Sequence, residues 1–339
     1  MPHHANPAGD QVTRAVFLEA VHKYARPNRR KAIQQILETF APFFALWALM
    51  AVMVQQGHSY WIILALSVVV AAFQVRIFIL FHDCCHGSFF ASRRANRILG
   101  YVSGILTFTP FEQWRRSHAI HHDTVGDLDR RGVGDIWTLT VEEFLAAPRW
   151  KRLAYRIVRN PFTLLLVGTT IVFLINQRYF HKLDRKRERW SVIVTDIAMA
   201  VIVVVASVTI GIRTYVLVQL PVTLIAGAAG LWLFYVQHQF EGVYWARHEV
   251  WDPMKAALEG SSFYKLPKLL QWFTGSIGFH HVHHIQQRIP NYNLEQCYND
   301  IPALRGVKPL SVRQSLRCAR LHLWDEKNQI LTGYRSLTV

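Results

Sequence analysis

The chain has 339 residues, a formal net charge of +16, and a hydrophobic content of 51%. Its apolar residues collect in long unbroken runs instead of spreading over amphipathic elements, which excludes an ordinary soluble core. The charge does not mark a nucleic-acid binder either. The basic residues flank the apolar runs, in Arg26 to Lys31, Arg93 to Arg97, Arg149 to Arg159 and Arg178 to Arg189, as positive-inside loops do.

The first thirty residues mix both charge signs and hold no apolar core of signal-peptide type, so entry into the membrane is expected to use the first spanning helix, and residues 1–38 read as a cytoplasmic N-terminal segment. The run 39–55 is the first candidate span, with Pro42 near its start, where a helix tolerates proline. The run 60–81 is the second, and only Gln74 and Arg76 in it are strongly polar. Directly after it comes His82-Asp83-Cys84-Cys85-His86. Residues 98–111 are apolar but short, and the spacing predicts an interfacial helix there.

A second histidine cluster, His118-Ala119-Ile120-His121-His122, follows. The apolar stretch 161–177 lies between two strongly basic flanks, Lys151 to Arg159 and Arg178 to Arg189. Crossing would leave one flank outside, so this stretch is expected to lie in the interface or to dip in and return. The runs 191–212, with Asp196 its only charged acidic residue, and 215–236 supply a second hairpin of spans. His238 follows in Tyr235-Val236-Gln237-His238-Gln239-Phe240-Glu241, and His280-His281-Val282-His283-His284 closes the series after a weaker apolar stretch at 266–279. Residues 303–339 read as a cytoplasmic C-terminal tail.

The expected architecture is an all-α integral membrane protein: four transmembrane helices in two hairpins, interfacial helices, and a cytoplasmic helical cap. With 161–177 kept from crossing, every histidine-bearing segment and both termini fall on the cytoplasmic side, so the segments can meet. Four cysteines in such a setting imply no disulfide framework.

Histidines three and four residues apart share one helix face. Imidazole suits iron, zinc, copper or nickel. One zinc-type site takes three or four ligands, so the eight in-register histidines imply two metals. Those eight are His82, His86, His118, His121, His122, His280, His283 and His284, with His238 a ninth candidate. His281 falls out of register and reads as a supporting residue. Metal-bound imidazole hands its other N–H to a carboxylate or carbonyl. Asp83, Asp123, Asp127, Asp129, Asp135 and Glu241 are placed by sequence to accept it, and His248 is a further supporting candidate.

These segments closely resemble the membrane fatty-acid desaturases, specifically the bacterial and plant acyl-lipid group related to delta-12/omega-6 enzymes. The resemblance runs from about residue 40 to 302 and defines a desaturase domain at 39–302. It is carried by Phe81-His82-Asp83-Cys84-Cys85-His86-Gly87-Ser88, by Arg116-Ser117-His118-Ala119-Ile120-His121-His122 with Gly126 to Gly132, by Gln237 to Glu241, and by Gly278 to His284 with Arg288 to Leu294. It implies that His82, His86, His118, His121, His122, His238, His280, His283 and His284 ligate two iron ions. It also implies that dioxygen and two electrons remove two hydrogens from adjacent carbons of a membrane-lipid acyl chain, giving a cis double bond. An apolar tunnel from the bilayer would admit the chain. Electrons would come from a separate ferredoxin or b-type cytochrome, and the host membrane would be a bacterial inner membrane. Cys85 stands where that group usually has glycine.

Two other readings share part of this pattern. A hydroxylase or ketolase of the same histidine-box type would return oxygen to the substrate. A metal transporter would carry its ligands inside the spans near the midplane, whereas these histidines lie just past the apolar runs.

Overall fold

Two long helical hairpins frame the molecule in the computed structural model, which describes residues 7–182 and 184–337. Along the chain, α1 (Pro7–His22) and α2 (Arg29–Gln55) lead into α3 (Tyr60–His86), α4 (Arg93–Leu106) and α5 (Phe111–Thr124). The short helices α6 (Val141–Ala146) and α7 (Arg149–Val158) precede the second hairpin, α8 (Lys186–Thr209) and α9 (Ile212–His238). Five small helices complete the cap: α10 (Pro253–Glu259), α11 (Lys268–Phe273), α12 (His280–Ile285), α13 (Asn291–Asp300) and α14 (Val312–Cys318). Helices α2, α3, α8 and α9 are each long and apolar enough to cross a membrane.

The helices outrun their apolar stretches, and the extensions carry the polar chemistry. Helix α2 begins ten residues before the apolar run at 39–55 because Asn28 caps it, its side chain accepting from Lys31 N at 3.0 Å. The added turns are not a separate segment. Lys31 Nζ donates to Asn293 Oδ1 at 3.2 Å and Gln35 Nε2 to Asn291 Oδ1 at 2.9 Å, tying α2 to the cap. Helix α3 continues past Phe81 until Gly87, whose φ of 67° closes it in the left-handed conformation. Ser92 starts α4 five residues before the apolar stretch at 98–111, its Oγ accepting from Ala95 N.

The stretch at 161–177 does not run straight. Helix α7 bends by 77° into Thr163–Arg178. That segment is wound as two π-helical pieces, Thr163–Gly168 and Thr170–Ile175, and a last 3-10 turn, Asn176–Arg178. Taken as one broken span, the pair would be a fifth apolar crossing by length and composition. Arg178 anchors its far end, donating to the Phe108 carbonyl and to Asp196 on α8.

The C-terminal residues are not a free tail. Strand β1 (Leu139–Thr140) pairs in parallel with β4 (Leu323–Asp325), which pairs antiparallel with β5 (Ile330–Thr332), and β2 (Phe263–Lys265) pairs in parallel with β3 (Pro309–Ser311). Leu323 is buried with Leu139, Phe144 and Tyr155, and the Tyr155 hydroxyl donates to the His322 carbonyl. This segment roofs the cap.

Candidate metal centre

Four elements converge at one end of the bundle. The last turn of α3 presents His82 and His86, α5 presents His118, His121 and His122, α9 ends on His238, and α12 presents His280, His283 and His284. The structure sorts these nine side chains into two groups: His82, His86, His118, His122 and His283 in one, and His121, His238, His280 and His284 in the other, each with its ligand nitrogens within 4.8 Å of one another. The i, i+3, i+4 face of α5 therefore straddles both, His121 turning to one group while His118 and His122 serve the other.

Within the first group Nε2 faces Nε2 at 3.3 Å between His82 and His86, 3.0 Å between His82 and His118, 3.1 Å between His118 and His122, and 3.1 Å between His122 and His283. In the second group the spacings are 3.1 Å for His121 and His238, 2.9 Å for His238 and His280, and 3.0 Å for His280 and His284. Neutral imidazoles cannot share these contacts as mutual donors, because each ring has one N–H and one lone pair. Nitrogens bonded to one ion at about 2.0–2.1 Å sit roughly 3 Å apart. Burial, reinforced by the neighbouring imidazoles, pushes His118, His122, His280, His283 and His284 well below the ordinary histidine range. Their lone pairs are thus free at neutral pH, and the two groups fit two transition-metal ions.

The far ring nitrogens show what orients these side chains. Asp135 Oδ1 lies 2.8 Å from His121 Nδ1, and the Gly260 carbonyl lies 3.0 Å from His238 Nδ1, so both rings carry their proton on Nδ1 and present Nε2 inward. Asp83 Oδ1 is 3.5 Å from His82 Nδ1, and its Oδ2 accepts from the backbone and side-chain nitrogens of Asn291 at 2.7 and 2.9 Å. Trp114 stacks on His118 with ring centroids 4.2 Å apart.

Other supporting candidates lie elsewhere. Asp127 accepts from Arg130 Nε at 2.7 Å and meets His248 Nδ1 at 2.7 Å, so this buried carboxylate braces its own loop and not a clustered histidine. Asp129 pairs with Arg247. Asp123 and Glu241 are exposed. His281 is buried against Phe263 and Tyr298 and belongs to neither group. Gly260 had no signature in the sequence, since it acts through a backbone carbonyl, and Asn291, though within the Arg288–Leu294 motif, could not be linked from sequence to the distant Asp83 it holds. Cys84 and Cys85 are buried with Phe81, Phe89 and Phe111, outside both groups.

A cavity of about 960 Å³ opens onto His82, His118 and His280. Phe78 on α3, Leu231 and Phe234 on α9, and Val167 and Ile171 on the π-helical segment line it. Gly227 is required where α9 meets that segment, since a Cβ there would lie 2.3 Å from Thr169 Cγ2.

Membrane-length helices that end in two all-histidine groups, set over a mainly apolar cavity, define the class: an all-α membrane protein with histidine clusters that could hold metal ions. The chain belongs to the fatty acid desaturase family, whose model matches residues 59–314, and it is accordingly an oxidoreductase of lipid metabolism. A protein of Bacillus subtilis named fatty acid desaturase is 46% identical over 317 residues, covering 94% of this chain and 90% of that one. A Synechocystis sn-1 oleoyl-lipid 12-desaturase is 26% identical over 229 residues, covering 66% of this chain and 64% of its own. A Nostoc sn-1 acyl-lipid omega-3 desaturase (ferredoxin) is 27% identical over 249 residues, covering 69% and 64%.

Proposed function

We propose that this protein introduces a cis double bond into a saturated stretch of a lipid-linked acyl chain. The overall change is –CH2–CH2– plus dioxygen, two electrons and two protons, giving –CH=CH– and two waters. The observation that carries this reading is the convergence of nine buried histidines, in two groups, on an apolar cavity. His82, His86, His118, His122 and His283 would hold one iron, and His121, His238, His280 and His284 the other. When bound, the irons supply oxygen activation and hydrogen abstraction, which no side-chain base can perform on an unactivated methylene.

The chain's own residues then have three tasks. Asp135 and the Gly260 carbonyl hold the protons of His121 and His238 on Nδ1, keeping Nε2 directed inward. Asp83, fixed by Asn291, places a carboxylate 3.5 Å from His82 Nδ1, at ion-pair distance and without a hydrogen bond. The walls of the cavity align the acyl chain and exclude water from the reacting carbons. The depth of the cavity beyond the histidines sets which carbons react.

Basic flanks favour an orientation with the site and both termini in the cytoplasm of a bacterial inner membrane, spans near 39–55, 60–81, 191–212 and 215–236, and 161–177 not crossing. A lipid-linked substrate is supported by the name of the Synechocystis relative, and ferredoxin as a separate donor by that of the Nostoc relative, with a b-type cytochrome the alternative donor. A basic surface suits an acidic donor. Expression in a host with mainly saturated lipids, followed by mapping of new double bonds, tests the proposal. Hydroxylated or keto products without an alkene, or full activity on zinc without oxygen, would contradict it.

A further inference from the structure

Arg159 sits at the elbow between α7 and the π-helical segment, and it is only 1% exposed. Its Nη2 is spent on Gln239 Oε1 at 2.7 Å and the Leu321 carbonyl at 2.9 Å. Nε and Nη1 are buried with no hydrogen-bond partner, and among the described residues no carboxylate lies within ion-pairing distance of the group. The Tyr235 ring lies 5.1 Å from the guanidinium carbon. Arg159 lines the cavity. A buried arginine left half-satisfied is costly, and an anion arriving with the ligand would offset that cost.

The element before Arg159 shows where that anion comes from. Helix α7 carries Arg149, Lys151, Arg152 and Arg156, with Trp150, Leu153 and Ile157 exposed at 71, 61 and 51%. Basic residues interleaved with exposed apolar ones on a short helix are the pattern of an element lying among lipid headgroups. Arg159 therefore stands at headgroup depth, and Arg116 and Lys182 line the same cavity. Two carboxylates also line it, and both are engaged: Asp135 with His121, and Asp184 with Gln113 and the His181 amide.

We propose that Arg159 binds the phosphate of the substrate's headgroup, so that the acyl chains drawn into this cavity are those of phosphate-bearing glycerolipids in preference to uncharged ones. This rests on the reading of the cavity as the acyl site. It adds a specificity-determining residue that acts through the headgroup and not through the chain.

The test measures binding without turnover. Metal-loaded full-length protein in detergent micelles, without reductant, is titrated with dipalmitoyl phosphatidylglycerol, dipalmitoylglycerol and palmitoyl-coenzyme A, and retained ligand is read by native mass spectrometry. Wild type is expected to hold the phosphatidylglycerol about tenfold more tightly than the diacylglycerol, the increment of one charge-assisted hydrogen bond. Arg159→Gln is expected to bring that ratio close to one by weakening phosphatidylglycerol alone, and Arg159→Lys to restore part of it. The proposal is overturned by equal retention of both lipids in wild type, by Arg159→Gln weakening both alike, or by Arg159-dependent retention of the coenzyme A thioester alone. The wild-type ratio decides even where a variant does not fold. Because no double bond forms in this measurement, a failure of the desaturation assay would be a separate result.

Discussion

Asp135 Oδ1 lies 2.8 Å from Nδ1 of His121, while the other carboxylate oxygen accepts from the Gly132 amide at 3.2 Å. The loop between α5 and β1 thereby reaches back to fix a histidine fourteen residues earlier. Loss of such a partner typically costs about 10–100-fold in metal affinity. Asp135→Asn is therefore expected to lower iron retention during dialysis against a chelator, with the exposed Glu241→Gln unchanged. Equal retention by Asp135→Asn and wild type would remove this role.

His118→Ala, His122→Ala and His283→Ala each delete an inward-facing nitrogen from the first group. Each is expected to abolish double-bond formation in cells while leaving membrane insertion intact. His58→Ala, exposed in the link between α2 and α3, is expected to keep full activity. Lipid profiles of the four variants check this, and activity in two of the three cluster variants would refute the ligand assignment.

A Cβ added at Gly227 on α9 would lie 2.3 Å from Thr169 Cγ2 on the π-helical wall of the cavity. Gly227→Ala puts a methyl into that contact and is expected to cost about 1–3 kcal/mol by overpacking. Adding Thr169→Ser removes the opposing methyl and keeps the hydroxyl that donates to the Leu165 carbonyl, so the double variant should recover most of the loss. Thermal unfolding of the single and double variants measures the coupling. No recovery would place the cost elsewhere.

Acid stability of the metal-free protein follows from the buried imidazoles. His118, His122, His280, His283 and His284 are held neutral in the fold. Their unfolded counterparts take up protons below about pH 6.5. The unfolded state then binds more protons, so stability falls as pH drops through that value, by up to about 1.4 kcal/mol per pH unit for each such group. Unfolding of chelator-treated protein between about pH 7.5 and 5.5 is expected to show this loss, and a flat profile would contradict it.

Much of the site was legible because it is built from helical spacing. Residues at i, i+3 and i+4 share a face in any helix, so His82 and His86, or His280, His283 and His284, could each be placed on one helix face from sequence alone. The division into two groups was not legible. It depends on how α5 and α12 are rotated against α3 and α9, which sends His121 one way and His118 the other and parts His283 from His280 and His284. Among the carboxylates, sequence proximity could not rank Asp135 above Asp123, since the choice is made by a loop that folds back. The roof formed by residues 309–332 was missed for a different reason: strands of two or three residues carry no detectable alternation, and Tyr155 bonds a backbone carbonyl whose side chain is irrelevant. Helix ends were displaced because Asn28 and Ser92 cap polar turns that hydropathy alone assigns to loops.

Metal content tests the central claim most directly. Full-length protein purified from iron-supplied cells and analysed for metals is predicted to carry two irons per chain, falling when either His122 or His280 is replaced by alanine. One metal per chain, or zinc in both positions of a fully active enzyme, would contradict the two-iron centre.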